Sequence, residues 1–168
     1  VKPITWQQFT PQGPRAFLPM FGNYGSLVWY DNPDVLANLS KLNNGQLSSE
    51  IMNAFPLELT ADGNGFTIVD KAVFPLTRAH ASEYIRGNCV LIGDAAHTIN
   101  PLAGQGVNLG FKDVEALLAV SAQYTALSSH DFRAALKANY EAPRRRDNAL
   151  MMSAMDGFYT LFSNDLAP

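Results

Sequence analysis

The sequence predicts a mixed α/β fold, in which short strands and longer helices share one chain. Three observations carry that prediction. The first thirty residues alternate β-branched and aromatic runs with turn formers, residues 107–121 and the last third repeat their apolar residues at helical spacing, and "CVLIGD" runs through a glycine-rich loop into a helical pattern. Composition agrees: of 168 residues, 47% are hydrophobic and only 16% are charged, which suits a globular chain with a core.

From Thr5 to Asp31 the runs "TWQQF", "RAFLPMF" and "SLVWYD" are separated by Pro-Gly and Gly-Asn-Tyr-Gly turn chemistry, so a three-stranded meander is expected. Asn32-Pro33-Asp34 supplies a cap and a first-turn proline for a helix carrying Val35, Leu36, Leu39 and Leu42, which Asn44-Gly45 should stop. Leu47, Ile51 and Phe55 then mark a second short helix ahead of Pro56. "GFTIVDKAVFPL" has strand composition, and "ASEYIRGN" with "CVLIG" reads as a strand, a turn and a buried strand holding Cys89. The helix after the glycines should turn Val107, Phe111, Val114, Leu117, Leu118 and Ser121 inward and Lys112 and Glu115 outward. Ser129 caps the next helix, with Phe132, Leu136 and Tyr140 inward. Pro143 should break or kink it before a last helix that buries Leu150, Ala154, Met155 and Phe158.

Several function classes fall away. A net charge of −3 offers no field for nucleic acid, and Arg144-Arg145-Arg146 reads as a solvated helix face. One cysteine cannot form an internal disulfide, which favours a reducing, cytoplasmic setting, and no apolar run approaches the ~20 residues of a membrane span. The chain opens on Val1 already in strand pattern and reads as an excised piece.

The stretch "GDAAHTINPLAGQGVNLG", residues 93–110, concentrates the chemistry. Gly93 and Asp94 end a strand at the edge where open α/β sheets take ligands. "PLAGQG" leads into a helix N-terminus, whose unpaired N–H groups and dipole favour an anion or an electron-rich oxygen. Gly104 and Gly106 would let backbone approach a flat ligand. No Gly-Lys-Ser/Thr follows, the G-x-G-x-x-x-G spacing misses the dinucleotide fingerprint, no G-x-S-x-G elbow is present, and His80, His97 and His130 are too scattered for a metal site. His97 is expected to pack the loop. Taken alone, the glycines suit a plain strand-to-helix turn as well as a ligand site.

Read whole, "CVLIGDAAHTINPLAGQGVNLGFKDVEAL" resembles the second flavin motif of the class A flavoprotein aromatic hydroxylases, the p-hydroxybenzoate hydroxylase family, and is most similar to the ubiquinone-biosynthesis branch. "FTPQGPRAFLPM" and "SLVW" resemble that branch's substrate-domain strands, "AVFPLTRAHASEYIRGN" its crossing back to the flavin domain, and "MDGFYTLFSN" the tail of its members acting on demethoxyubiquinol.

The resemblance implies residues 1–78 as part of a β-sheet substrate domain and 79–168 as the C-terminal part of a Rossmann-like FAD/NAD(P)-binding domain. It implies that Gly93 and Asp94 meet the ribityl hydroxyls of FAD, that Pro101, Leu102, Ala103, Gly104, Gln105 and Gly106 lie beside the flavin ring, and that Val107 and Asn108 meet its pyrimidine end. FAD reduced by NAD(P)H would react with O2 to a flavin peroxide that hydroxylates a polyprenylated phenol or quinol, so no side chain need be a catalytic nucleophile. Phe17, Leu18, Phe74 and Pro75 are candidates for the substrate pocket. The family's G-x-G-x-x-G unit and middle Asp-Gly motif are missing, so a C-terminal fragment, inactive and self-associating by itself, is expected. Two alternatives stand beside this reading: a non-catalytic module docking a partner, and a hydroxylase of a small soluble phenol. Contact with the inner membrane or with a ubiquinone-biosynthesis complex would suit the lipid-tailed substrate.

Overall fold

A computed structural model describes residues 4–56, 65–101, 104–124 and 128–163. The chain divides into two compact units, Val1–Pro75 with Thr160–Pro168, and Leu76–Tyr159.

The first unit is built on an antiparallel meander of β1 (Trp6–Thr10), β2 (Gly13–Pro19) and β3 (Gly25–Trp29), in which Trp6 faces Phe17 and Phe17 faces Leu27. Helix α1 (Pro33–Lys41) starts at Asn32, with Pro33 in its first turn. Asn44-Gly45 does not stop the helical run but opens α2 (Asn44–Ala54). The reason is a capping box, in which the Asn43 side chain accepts from the Gln46 N–H and the Gln46 side chain accepts from the Asn43 N–H. Leu47, Ile51 and Phe55 form the buried cluster, with Trp6 and Trp29 packed against Phe55 at ring separations of 5.9 and 5.6 Å. The Arg15 guanidinium lies over Trp29 and donates to the carbonyl of Ala54, tying sheet to helix.

Gly25 has a packing reason. A Cβ there would stand 2.5 Å from the ring of buried Phe17, which crosses the strand above it as a diagonal neighbour. Gly25→Ala is therefore expected to cost roughly 1–3 kcal/mol through overpacking. A urea melt of the variant checks this, and an unchanged midpoint would mean that the ring moves aside freely.

The expected strand over residues 65–76 is absent: the segment makes no ladder among the described residues. Phe66 and Ile68 pack on the first cluster while Val69, Val73 and Phe74 stay exposed, because β composition expresses fit to a pleated surface and none pairs with it here.

In the second unit, β4 (Ala79–His80) pairs with β7 (His97–Thr98), and β5 (Ile85–Arg86) pairs with β6 (Cys89–Val90) across a two-residue turn begun by Gly87 at φ +61°. The expected buried strand is thus one side of a short hairpin, and Cys89 at its turn end is exposed. Helix α3 (Gly106–Gln123) buries Leu109, Asp113 and Val120; Leu117 packs on the core and Lys112 and Glu115 face out as expected, but Val107, Phe111, Val114 and Leu118, expected inward, are exposed. The apolar stripe is broader than one face, and a carboxylate decides which part goes inward.

Ser128, not Ser129, caps α4 (Ser129–Leu136), accepting from the Asp131 N–H. The helical path then widens into a π turn over Lys137–Glu141 and continues as α5 (Ala142–Phe162). Pro143 neither breaks it nor ends it, since the wider turn before it accommodates the carbonyl that a proline cannot pair with. Leu150 and Phe158, expected inward, are exposed. Arg144, Asn148 and Met152 are buried instead.

The core of this unit gathers Tyr84, Ile85, Ala96, Val120, Leu136 and Tyr140. The π turn helps to pin it: Glu141 accepts from the N–H groups of Tyr84 and Ile85 at 2.6 and 2.7 Å, and the Tyr140 hydroxyl donates to the carbonyl of Leu91 at 2.7 Å. Burial raises the Tyr140 phenol above its ordinary pKa, so it remains a donor. Among the described residues, no helix is long and apolar enough to cross a membrane.

Candidate functional site

After β6 the chain turns at Gly93, whose φ of +56° is a left-handed conformation that side chains resist, and enters a single 3-10 turn over Gly93–Ala95. That turn presents Asp94 to solvent and returns the chain to β7, with the Thr98 hydroxyl donating to the Asp94 carbonyl at 3.2 Å. Ile99 is buried, packed with Leu109 and Met152. The Gly104 N–H closes back on the Pro101 carbonyl at 3.2 Å, and Gly104 has φ +61° with no atom of the described residues beyond its chain neighbours within 4 Å of where a Cβ would stand. Leu102 and Ala103 lie outside the described residues.

Helix α3 begins at Gly106. Its first ladder bond is Leu109 N–H to the Gln105 carbonyl at 3.0 Å, so the N–H groups of Gly106, Val107 and Asn108 have no acceptor within the helix, and no side chain caps them. The Asn108 amide donates to Gln105 Oε1 at 3.1 Å. A Cβ at Gly106 would stand 3.9 Å from Asp94 Oδ1, which sets the carboxylate beside the helix N-terminus. An acceptor-only group and a fan of backbone donors thus lie side by side, with glycine between them. That arrangement suits a flat polar ligand with hydroxyls for the carboxylate and oxygens for the N–H groups.

The fourth glycine of the stretch has a different task. A Cβ at Gly110 would lie 3.4 Å from the Cα of Gly93, so it lets the turn rest directly on α3. Next along the same helix comes Asp113, a fully buried carboxylate whose importance the sequence pattern did not reveal. Its Oδ2 accepts from the Gly93 N–H at 3.0 Å and from His97 Nε2 at 2.5 Å; its Oδ1 accepts from Arg144 Nε at 2.8 Å and Asn148 Nδ2 at 3.3 Å. Burial by itself would raise the Asp113 carboxyl, but the bonds from Arg144, His97, Gly93 and Asn148 outweigh it and hold the pKa below the usual 3.8.

Arg144, expected on a solvated face, is 7% exposed and also bonds Asn148 Oδ1 at 2.8 Å; Arg146 does remain outside. Asn148 further donates to the Tyr84 hydroxyl at 3.1 Å, and Tyr84 meets His80 Nε2 at 2.8 Å. Burial, then the nearby Arg145, His97 and Arg78, lower the pKa of His80. The signal in the sequence was Arg144 and Asn148 four residues apart, together with one acid inside an apolar stripe.

The substrate candidates are not gathered in one place. Phe17 is core and Leu18, the next residue on β2, sits on the opposite face and is exposed; Phe74 and Pro75 are exposed on the segment that makes no ladder. An open cleft of about 420 Å³ lined by Leu109, Lys112, Arg144, Asp147, Leu150, Met151 and Ala154 excludes Asp94 and the 104–108 loop. No group of three His, Cys, Asp or Glu able to hold a metal occurs among the described residues.

Comparison with known proteins follows the same lines. The chain is 48% identical over 165 residues to the 3-demethoxyubiquinol 3-hydroxylase of Escherichia coli, covering 98% of this chain and 41% of the relative. It is 38% identical to the ubiquinone hydroxylase UbiL of Rhodospirillum rubrum, covering 96% of this chain and 37% of the relative. The chain therefore spans about two fifths of the length of these relatives. The structure of PqsL, a probable FAD-dependent monooxygenase from Pseudomonas aeruginosa, superposes on 95% of this chain and 44% of its own with a TM-score of 0.66 at 20% identity, which shows the shared mixed fold. The sequence profile of the FAD binding domain family matches residues 38–146, well over half of the chain. With the glycine-floored turn and helix N-terminus lying inside that match, the chain belongs to the FAD binding domain family.

Proposed function

We propose that this chain is part of an FAD-dependent monooxygenase that hydroxylates the ring of a polyprenylated phenol or quinol in ubiquinone biosynthesis, with NAD(P)H as reductant. Residues 1–78 belong to its substrate domain and 79–168 to its FAD domain. The observation that carries the reading is the Asp94 carboxylate beside the uncapped N-terminus of α3, with Gly104 and Gly106 leaving the space between them open. The names of the similar proteins, hydroxylases of ubiquinone intermediates, support the substrate class.

In this reading Gly93 and Asp94 receive the ribityl hydroxyls, Pro101 to Gly106 lie along the ring, and Val107 and Asn108 offer N–H groups to the pyrimidine end. FAD, when bound, supplies the oxygen-activating chemistry. The chain's own work is electrostatic and steric. Backbone donors and the dipole of α3 favour negative charge near the ring by roughly 0.5–2 kcal/mol, Asp94 orients the chain of hydroxyls, and the glycines permit close stacking of backbone on the ring. A lipid-tailed substrate would suit a cytoplasmic protein working at the periphery of the inner membrane. Val107, Phe111 and Leu118 form an exposed stripe on α3 that supports self-association of the 168-residue chain.

The test uses the full-length gene product, loaded with FAD and given NADH or NADPH, O2 and a short-chain demethoxyubiquinol. Hydroxylated product by mass spectrometry is expected. A protein that holds FAD, consumes NAD(P)H and leaves every polyprenyl phenol unmodified would overturn the substrate assignment.

A further inference from the structure

We propose that Asp113 is the positioning residue of the Asp94 turn, clamping both of its ends from inside α3 while Arg144 holds the clamp in place. This inference rests on the reading of Asp94 as a contact to FAD.

The turn closes on itself through the Ala96 N–H to the Gly93 carbonyl at 2.9 Å and the Thr98 hydroxyl to the Asp94 carbonyl at 3.2 Å, and neither bond ties it to α3. Gly93 has no side chain, its φ of +56° belongs to a sparsely populated region, and the 3-10 turn over Gly93–Ala95 is a single turn long. One oxygen of Asp113 accepts from the N–H of Gly93, the first residue of the turn, and from the ring of His97, four residues on. The same atom therefore holds the residue that opens the turn and the first residue of β7 beyond it, and Asp94 is carried between the two. The other oxygen is saturated by Arg144 and Asn148, both from α5.

All four partners are donors, which explains the residue type. His97 Nε2 is assigned the proton because the carboxylate it faces is ionised. An asparagine at 113 would have to turn its NH2 toward either Gly93 and His97 or Arg144 and Asn148, and would repel one set. Registration is the consequence. Gly110 and Asp113, one helical turn apart, hold the Gly93 end of the turn, and the N-terminus of their own helix faces the Asp94 carboxylate. The distance between the two halves of the ligand site is thus determined by a single helix.

The experiment is a double-mutant cycle on FAD affinity in the full-length gene product, comparing wild type, Asp94→Ala, Asp113→Asn and the double variant by flavin fluorescence titration, with a thermal melt of each apoprotein. Asp94→Ala should weaken FAD about 10- to 100-fold, the loss of one hydrogen bond to a charged group. Asp113→Asn should weaken it about 10-fold in the wild-type background and hardly at all once Asp94 is gone, because its effect passes through Asp94.

Full repetition of the Asp113→Asn loss in the Asp94→Ala background, or no loss in either, would overturn the inference. If Asp113→Asn does not fold, His97→Leu and His97→Gln replace it: the leucine should lose affinity and the glutamine, which can still donate to Asp113, should recover part of it. Equal affinity for those two would be equally fatal. An Asp94→Ala protein that binds FAD as wild type does overturns the ligand reading itself, and this inference with it, whereas additive losses sink the positioning role alone.

Discussion

Arg144→Met is expected to lower the free energy of unfolding by about 3–5 kcal/mol at neutral pH, the cost typical of breaking a buried ion pair from one side. The Arg144 side chain is 8% exposed and the Asp113 side chain 0%, so loss of the guanidinium leaves a carboxylate that is itself out of contact with solvent. Methionine fills similar volume, which leaves the uncompensated carboxylate as the dominant penalty.

The pH dependence gives the prediction a second edge. Because hydrogen bonds hold the folded Asp113 below the usual 3.8, its contribution in wild type is fully present above that value and is lost as pH falls through the lower, folded value. Arg144→Met removes the strongest of those bonds, so wild type and variant should converge in stability as the medium is acidified below the ordinary carboxylate range. Urea unfolding across that range measures it. A loss under about 1 kcal/mol at neutral pH would place the pair in the class of solvated surface bridges.

Gly106→Val is expected to weaken FAD binding by about 10- to 100-fold, the 1–3 kcal/mol of an overpacked contact, with little change in the melting temperature of the apoprotein. The two readouts separate because of where Gly106 stands. Its φ is not in the left-handed region, and among the described residues beyond its chain neighbours and its own helix backbone the nearest atom to a Cβ would be Asp94 Oδ1 at 3.9 Å, so the fold there tolerates a side chain. Within the helix, valine is no worse than glycine in intrinsic propensity. Gly110 is the contrast: there the neighbour is the Gly93 backbone at 3.4 Å, and a bulky residue would disturb the fold before any ligand arrived. If Gly106→Val binds FAD as wild type does, the loop faces away from the cofactor and its glycines serve the turn alone.

Local chemistry made the meander, both early helices and the turn and helix of the glycine stretch legible in the sequence. Pro-Gly and Gly-Asn turns, the Asn-Pro start of α1 and the glycines at 104 and 106 act over a few residues, and so does the sequence that encodes them. The same locality explains Asp94. A carboxylate at the end of a short strand, before a glycine-rich helix start, is a pattern contained within eighteen consecutive residues.

What the sequence concealed is long-range. Residues 65–76 have strand composition but find no ladder, since a strand needs a partner and partners are a property of the whole fold. Cys89 sits in an apolar run, yet a hairpin turn leaves it exposed. Pro143 stays inside a helix because a π turn, invisible to periodicity, comes just before it.

The faces of α3 and α5 depart from expectation in part, and for a single physical reason. Apolar periodicity assumes that charge goes to water, and it fails where a charge finds its partners in the interior. Asp113 and Arg144 are 31 residues apart, and each is costly to bury by itself. Only the packing of α3 against α5, with Gly93, His97 and Asn148 supplying the remaining donors, turns that cost into a specific contact, and only the tertiary structure decides it.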